Sequence, residues 1–191
     1  MEHGKQLAAA LLALLLVLAA GCGASGPDAS PDQPESSAVR EITDMAGRTV
    51  MVPAEAGMVF PADPAAAIYL YTLAPDKLLG WNYALNDIEK GIILEEYHDL
   101  PNFGMGDAVN YEAVIAAGPS LAVYMGTIGG ALASACDQLA GKLGIPVLAV
   151  DGDLMRAPAA YRFLGGLLDE AEKAEQLAAY AEKTFADIAA M

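Results

Sequence analysis

Few side chains in this sequence are equipped to make or break bonds. It holds two histidines, His3 and His98, and two cysteines, Cys22 and Cys136. With His98 the only histidine in the body of the chain, nothing supports a Ser–His–Asp arrangement. There is no GxSxG elbow, no HExxH pair and no dinucleotide-binding glycine fingerprint. The piece GTIGG at 126–130 lacks the order and the lysine of a phosphate loop, so it reads as a close turn into a helix. A bare transition metal needs converging His, Cys and carboxylate groups, whereas His98 stands alone in the polar stretch EEYHDLP, a solvated face. The sequence therefore points away from catalysis and from a resident metal or cofactor.

What remains is non-covalent recognition. Trp81, the single tryptophan, offers a flat face to a planar ligand. Asn82 and Tyr83 beside it offer hydrogen bonds. Phe103, Tyr124 and Met125 fall at the ends of apolar runs, so of Tyr124 and Met125 one should face a crevice and the other a layer of helices. Asp151, with Asp107 and Asp153, can receive a cationic group, although Asp151–Gly152 is also an ordinary turn.

These residues share one property: each lies just past a short apolar run. ITDMAGRTVMVP, residues 42–53, reads as a small hairpin around the turn DMAG. An apolar run at 57–60 ends at Pro61, and Pro64 opens a helix over 65–73. KLLGW at 77–81 reads as a second strand and LPNFG at 100–104 as a weaker third. An irregular helical stretch over 85–97 separates them. Asn110 caps a short helix over 111–117 that Gly118–Pro119 closes. LAVYM at 121–125 is the clearest strand. A helix over 129–143, carrying Cys136 as a small core residue, ends at Gly144, and PVLAV at 146–150 is the last strand. Unbroken apolar strands alternating with helices define a mainly parallel sheet covered on both faces, an α/β three-layer sandwich. Pro158 opens a helix, and an Asp169–Glu172 pair reads as a capping box for a long final helix over 170–191.

The first 38 residues have a different character. Residues 7–20 form an apolar run of 14, short of the roughly 20 needed to span a bilayer. Lys5 precedes it and small residues follow, the layout of an export signal. Residues 23–38 have no aromatic and no apolar period, as a flexible tether would. Glu2 and Lys5 cancel, so the chain without residues 1–21 keeps the formal net charge of −15. That balance argues against nucleic acid or anionic lipid as a partner. VLAAGC at 17–22 resembles the lipobox of bacterial lipoproteins, with Ala19 where leucine is usual. The resemblance implies cleavage before Cys22, acylation of Cys22 and a lipid anchor at the cell envelope.

From Ile42 onward the chain resembles the N-terminal half of a bacterial ABC-transporter substrate-binding lipoprotein of the iron–siderophore, haem or cobalamin class. The resemblance rests on ITDMAGRTVMVP, DKLLGW, LPNFG with NYEAVIAAGPSLAVY, KLGIPVLAVDG and AYRFLGGLLDEAEKAEQLAAYAEKTFADI, in that order. It implies one α/β lobe at 39–157 and a helical segment at 158–191 containing the helix that joins two lobes, with the second lobe absent from this fragment. It implies capture of a metal chelate or corrinoid for an ABC permease and its ATPase, weak in a single lobe. The competing expectation is a surface lipoprotein with a scaffold or protein-interaction role.

Overall fold

The computed structural model describes residues 38–191. The expected signal segment, Cys22 and the tether up to residue 37 lie outside the described residues. Strands β1 (Val39–Thr43) and β2 (Thr49–Pro53) pair antiparallel as the expected hairpin. Strands β3 (Val59–Pro61), β4 (Leu121–Gly126) and β5 (Val147–Asp151) form a parallel sheet in that order. The helices are α1 (Pro64–Leu73), the single turn α2 (Asp87–Lys90), α3 (Tyr111–Ala117), α4 (Gly130–Leu143), α5 (Ala157–Leu168) and α6 (Ala171–Ala189).

Alternation along the strands assigns each side chain to a layer. Leu121, Val123, Met125, Leu148 and Val150 pack with Leu70 and Leu73 of α1 and with Leu164 and Leu168 of α5. Ala122, Val147 and Ala149 face the other way, onto Val114 of α3 and Leu132, Cys136 and Leu139 of α4. The strands are buried on both faces, which is why they read as unbroken apolar runs. Cys136 is fully buried, and burial pushes its thiol up to about 11 despite the nearby Arg48 charge. It is an inert core residue.

The runs KLLGW and LPNFG do not form the expected strands. Residues Pro75–Lys77 make a 3-10 turn, and the chain then touches the sheet only at isolated parallel bridges, Val59 with Leu78 and Trp81 with Asn102. Pro101 has no N–H to give to a ladder, and a Cβ on Gly80 would stand 2.3 Å from the Pro101 carbonyl oxygen. The two runs still extend the parallel order outward from β3. Instead of a continuous helix, residues 85–97 hold α2 and a 3-10 turn at Glu95–Tyr97. The Asp169–Glu172 capping box also does not form. Asp169 adopts φ 62° and terminates α5, and α6 starts from Glu170 without a side-chain cap.

Beyond β5, the sheet ends against the hairpin turn. Asp44, buried in the turn, accepts from the N–H groups of Ala46 (3.0 Å) and Arg48 (2.9 Å) through Oδ1. Its Oδ2 accepts from Arg48 Nη2 (2.6 Å), Arg48 Nε (3.0 Å) and the Ala149 N–H of β5 (3.0 Å). Arg48 also donates to the Val147 carbonyl and to Asp137 of α4, each at 2.6 Å. Removing Asp44 would leave Arg48 paired only with the exposed Asp137 and would orphan the N–H groups of Ala46, Arg48 and Ala149. Asp44→Ala should therefore lower the unfolding free energy by about 3–5 kcal/mol, measured by urea denaturation. A loss within experimental error would show that the clamp is not needed.

Candidate functional site

Because every pairing within the main sheet is parallel, the carboxyl ends of its strands all open onto one edge. In open α/β sheets this is the edge where ligands bind. Five loops meet there, following β3, Trp81, Asn102, β4 and β5. They expose Tyr83 (37%), Met105 (51%), Ile128 (36%), Leu154 (69%) and Met155 (64%) to solvent. Tyr83 also borders a recess against α1, and Leu154 and Met155 border recesses against α5 and α6. Asp107, Asp153 and Arg156 add charge to the same rim.

The residues named from sequence divide into rim and support. Tyr83 is on the rim. Trp81 is only 5% exposed; its indole N–H donates to the Tyr97 carbonyl (2.8 Å) and its ring packs 5.7 Å from Tyr71. Asn82 is buried and donates to the Pro61 carbonyl (2.9 Å), which ties this run to the end of β3. Phe103 is buried edge-to-face on Phe60 at 5.8 Å. Neither Tyr124 nor Met125 points straight off the strand end. Met125 is buried toward α1 and α5, and Tyr124 packs toward α3 and α4. There Tyr124 lines a cavity of about 240 Å³ with Asp107, Tyr111, Gln138 and Lys142. Asp151 is half-buried, 3.6 Å from Arg156, and accepts from the Asp153 N–H (3.1 Å). His98 is likewise half-buried, with Nε2 2.7 Å from the Ile93 carbonyl oxygen.

Sequence reasoning missed Asp63. Its Oδ1 caps α1 by accepting from the Ala66 N–H (3.0 Å), and its Oδ2 accepts from the Met125 N–H at the end of β4 (2.7 Å). One carboxylate thus fixes the start of α1 against the neighbouring strand. The local signal was the pair Asp63–Pro64, an N-cap before a proline. The β4 and β5 ends are drawn together by glycines: Gly152 donates to the Gly126 carbonyl (2.9 Å), and a Cβ on Gly152 would lie 2.9 Å from the Gly126 nitrogen. Among the described residues no group of three or more His, Cys, Asp or Glu is placed to hold a metal ion, and no helix is long and apolar enough to cross a membrane.

This architecture is the fold of the periplasmic solute-binding proteins of ABC transporters. An ABC-transporter solute-binding protein from Sulfurospirillum deleyianum superposes with a TM-score of 0.64 at 22% identity, over 73% of this chain and 45% of that one. A periplasmic solute-binding protein from Veillonella parvula gives 0.60 at 20% identity, over 78% of this chain and 46% of its own. The siderophore-binding protein BauB, bound to ferric iron and two molecules of acinetobactin, gives 0.59 at 15%, over 80% and 54%. The chain spans about half the length of these two-lobed structures, and the matching portion is an α/β lobe with its long terminal helix. No protein-family model matches the chain, and no curated protein is significantly similar to it.

Burial raises the Asp63 carboxyl above its ordinary value, against the lowering effect of its hydrogen bonds to Met125, Ala66 and Ala65. A raised folded-state value means that folding takes up a proton above about pH 4, so this residue's stabilisation shrinks as pH rises through that value. The unfolding free energy of Asp63→Asn relative to wild type should therefore move in favour of the variant as pH is raised from about 4 toward neutrality. A difference that stays constant across that range would contradict the assignment.

Proposed function

We propose that this chain is the ligand-capturing component of an ABC importer, taking up an iron–siderophore, haem or cobalamin-type ligand outside the membrane and passing it to a permease and its ATPase. The observation that carries this reading is the apolar rim. Tyr83, Met105, Ile128, Leu154 and Met155 lie on loops at the carboxyl edge of the sheet, where an organic chelate or macrocycle would find area to bury and, at Asp107, Asp153 and Arg156, charged groups to meet. Met side chains adapt their shape to such ligands, and Tyr combines an apolar body with a polar tip. Tyr83, Tyr124 and Asp151 are the named residues closest to that role. Trp81, Asn82, Phe103 and Met125 brace the loops from behind.

The rest of the reading follows from sequence. Residues 1–21 are the export signal, Cys22 carries the lipid, residues 22–38 are the tether, residues 39–157 the binding lobe, and residues 158–191 the segment leading toward a second lobe. The anchor keeps the protein at the cell envelope, beside its transporter.

Two-lobed proteins of this fold bury a ligand between two walls. One lobe supplies a single wall, so affinity on the order of tens of micromolar or weaker is expected. Methionine-methyl NMR resolves binding that weak. With gallium tris-catecholate, zinc protoporphyrin and cobalamin as probes, at least one should shift the Met105 and Met155 methyls. Met51 and Met58, exposed elsewhere on the lobe, should stay still. Equal shifts at all four, or none with any probe at millimolar concentration, would refute the assignment.

A further inference from the structure

A second recessed site lies beside the rim, between the outer face of α1 and residues 85–97. It is a cavity of about 240 Å³, lined by Tyr71, Trp81, Tyr83 and Glu89, with Ile68 and Ile92 among its apolar walls. That is smaller than the roughly 300–1,000 Å³ of sites for drug-sized ligands, so its occupant is small. The Tyr71 and Trp81 rings meet at 52°, making an aromatic corner. The Tyr71 hydroxyl oxygen accepts from the Leu94 N–H (2.9 Å), and the Trp81 N–H donates to the Tyr97 carbonyl (2.8 Å). What remains to line the cavity is the Tyr71 ring with its free hydroxyl proton and the small open part of the Trp81 ring, which is 5% exposed. Burial and the neighbouring Glu89 carboxylate raise the Tyr83 hydroxyl above its usual value, in keeping with Glu89 standing at the third ring.

The surroundings select the charge. Over residues 85–100 the chain carries Asp87, Glu89, Glu95, Glu96 and Asp99 against Lys90 alone, within a protein of net charge −15. Such a field draws in cations. Strongly hydrated ones are disfavoured, because one carboxylate and a few hydroxyls among isoleucine and aromatic walls do not replace a full hydration shell. An ammonium whose charge is spread over alkyl groups loses little hydration and gains from the aromatic and isoleucine walls.

We propose that this cavity binds a small N-alkylated ammonium ion, with Tyr71, Trp81 and Tyr83 around the alkyl groups and Glu89 as the counter-charge. The site stands on its own observations and does not rest on the solute-capture reading, although Tyr83 borders both surfaces.

Trp81, the single tryptophan, reports on the cavity from within. Full-length chain titrated with choline should show a saturable change in fluorescence. The neutral isostere 3,3-dimethylbutanol should bind at least about tenfold more weakly, the difference expected of about 1.4 kcal/mol from cation–π attraction. Glu89→Gln keeps the reciprocal cap with Asn86, which Gln also makes, so the local fold is preserved. It should weaken choline severalfold and leave the alcohol unchanged. Tyr83→Leu, at an exposed position, should also weaken choline more than the alcohol. The Met105 and Met155 methyls should not respond to choline, which separates this site from the rim. Equal binding of choline and its isostere, a response reproduced by sodium chloride, no saturable response, or variants that bind choline like wild type would each overturn the proposal.

Discussion

A single carboxylate decides where the sheet stops. The outward edge of β5 would otherwise present unpaired backbone groups, the usual invitation to add another strand. The hairpin turn satisfies them in order. Val147 O accepts from Arg48, Ala149 N–H donates to Asp44, Ala149 O accepts from the Met45 N–H (3.1 Å), and the Asp151 N–H meets the Met45 sulfur (3.4 Å). Asp44 makes this possible by holding the turn and the Arg48 guanidinium in one geometry. Because Arg48 also reaches Asp137, the same hub fixes α4 relative to β5. Arg40 ties the other end of the hairpin to the Gly166 and Leu167 carbonyls near the end of α5, where a cation also meets the negative pole of the helix. The loops that follow β4 and β5 inherit their positions from this clamp.

What was legible in the sequence was local. LAVYM, the Asn110 cap and the Gly144 stop carry their signals within a few residues, and each formed as expected; Asn110 accepts from the Ala113 N–H at 3.0 Å, and Gly144 takes φ 69°. The hub was not legible, since Asp44 and Ala149 are 105 residues apart and nothing near either one announces the other. KLLGW and LPNFG misled for a different reason. Their composition suits a strand, but Pro101 and the tight approach at Gly80 interrupt the ladder, so only bridges form. Trp81 was legible as an aromatic past a strand but not as a buried one. Its cover comes from residues 85–97, whose irregular backbone gives no periodicity from which burial could be read.

The terminal helix shows how packing, rather than propensity, sets direction. A Cβ on Gly165 would fall 2.3 Å from the Ala174 Cβ, so α5 and α6 approach as closely as a glycine permits. Arg162 then forks to Glu175 (2.7 Å), the residue after that contact, and to Glu182 (2.6 Å), about two turns further along α6. Beyond Ala178 no residue of α6 is fully buried, and Tyr180 and Ile188 are exposed. The helix leans on α5, not on the sheet, which leaves the carboxyl edge of the strands uncovered. At about 1.5 Å per residue its second half carries an apolar stripe roughly 15 Å past the last buried alanine.

These features combine into a division of labour around the rim. Rigid buried rings such as Trp81 and Phe103, with the amide of Asn82 and the carboxylate of Asp63, hold the loops; flexible Met105, Leu154 and Met155 are the side chains those loops leave exposed. Inverting that arrangement would expose rings to water and leave deformable side chains to brace the loops, at a cost in both burial and precision. The acidic balance of the chain acts at longer range, drawing cationic groups toward a lobe whose nearest surfaces are apolar.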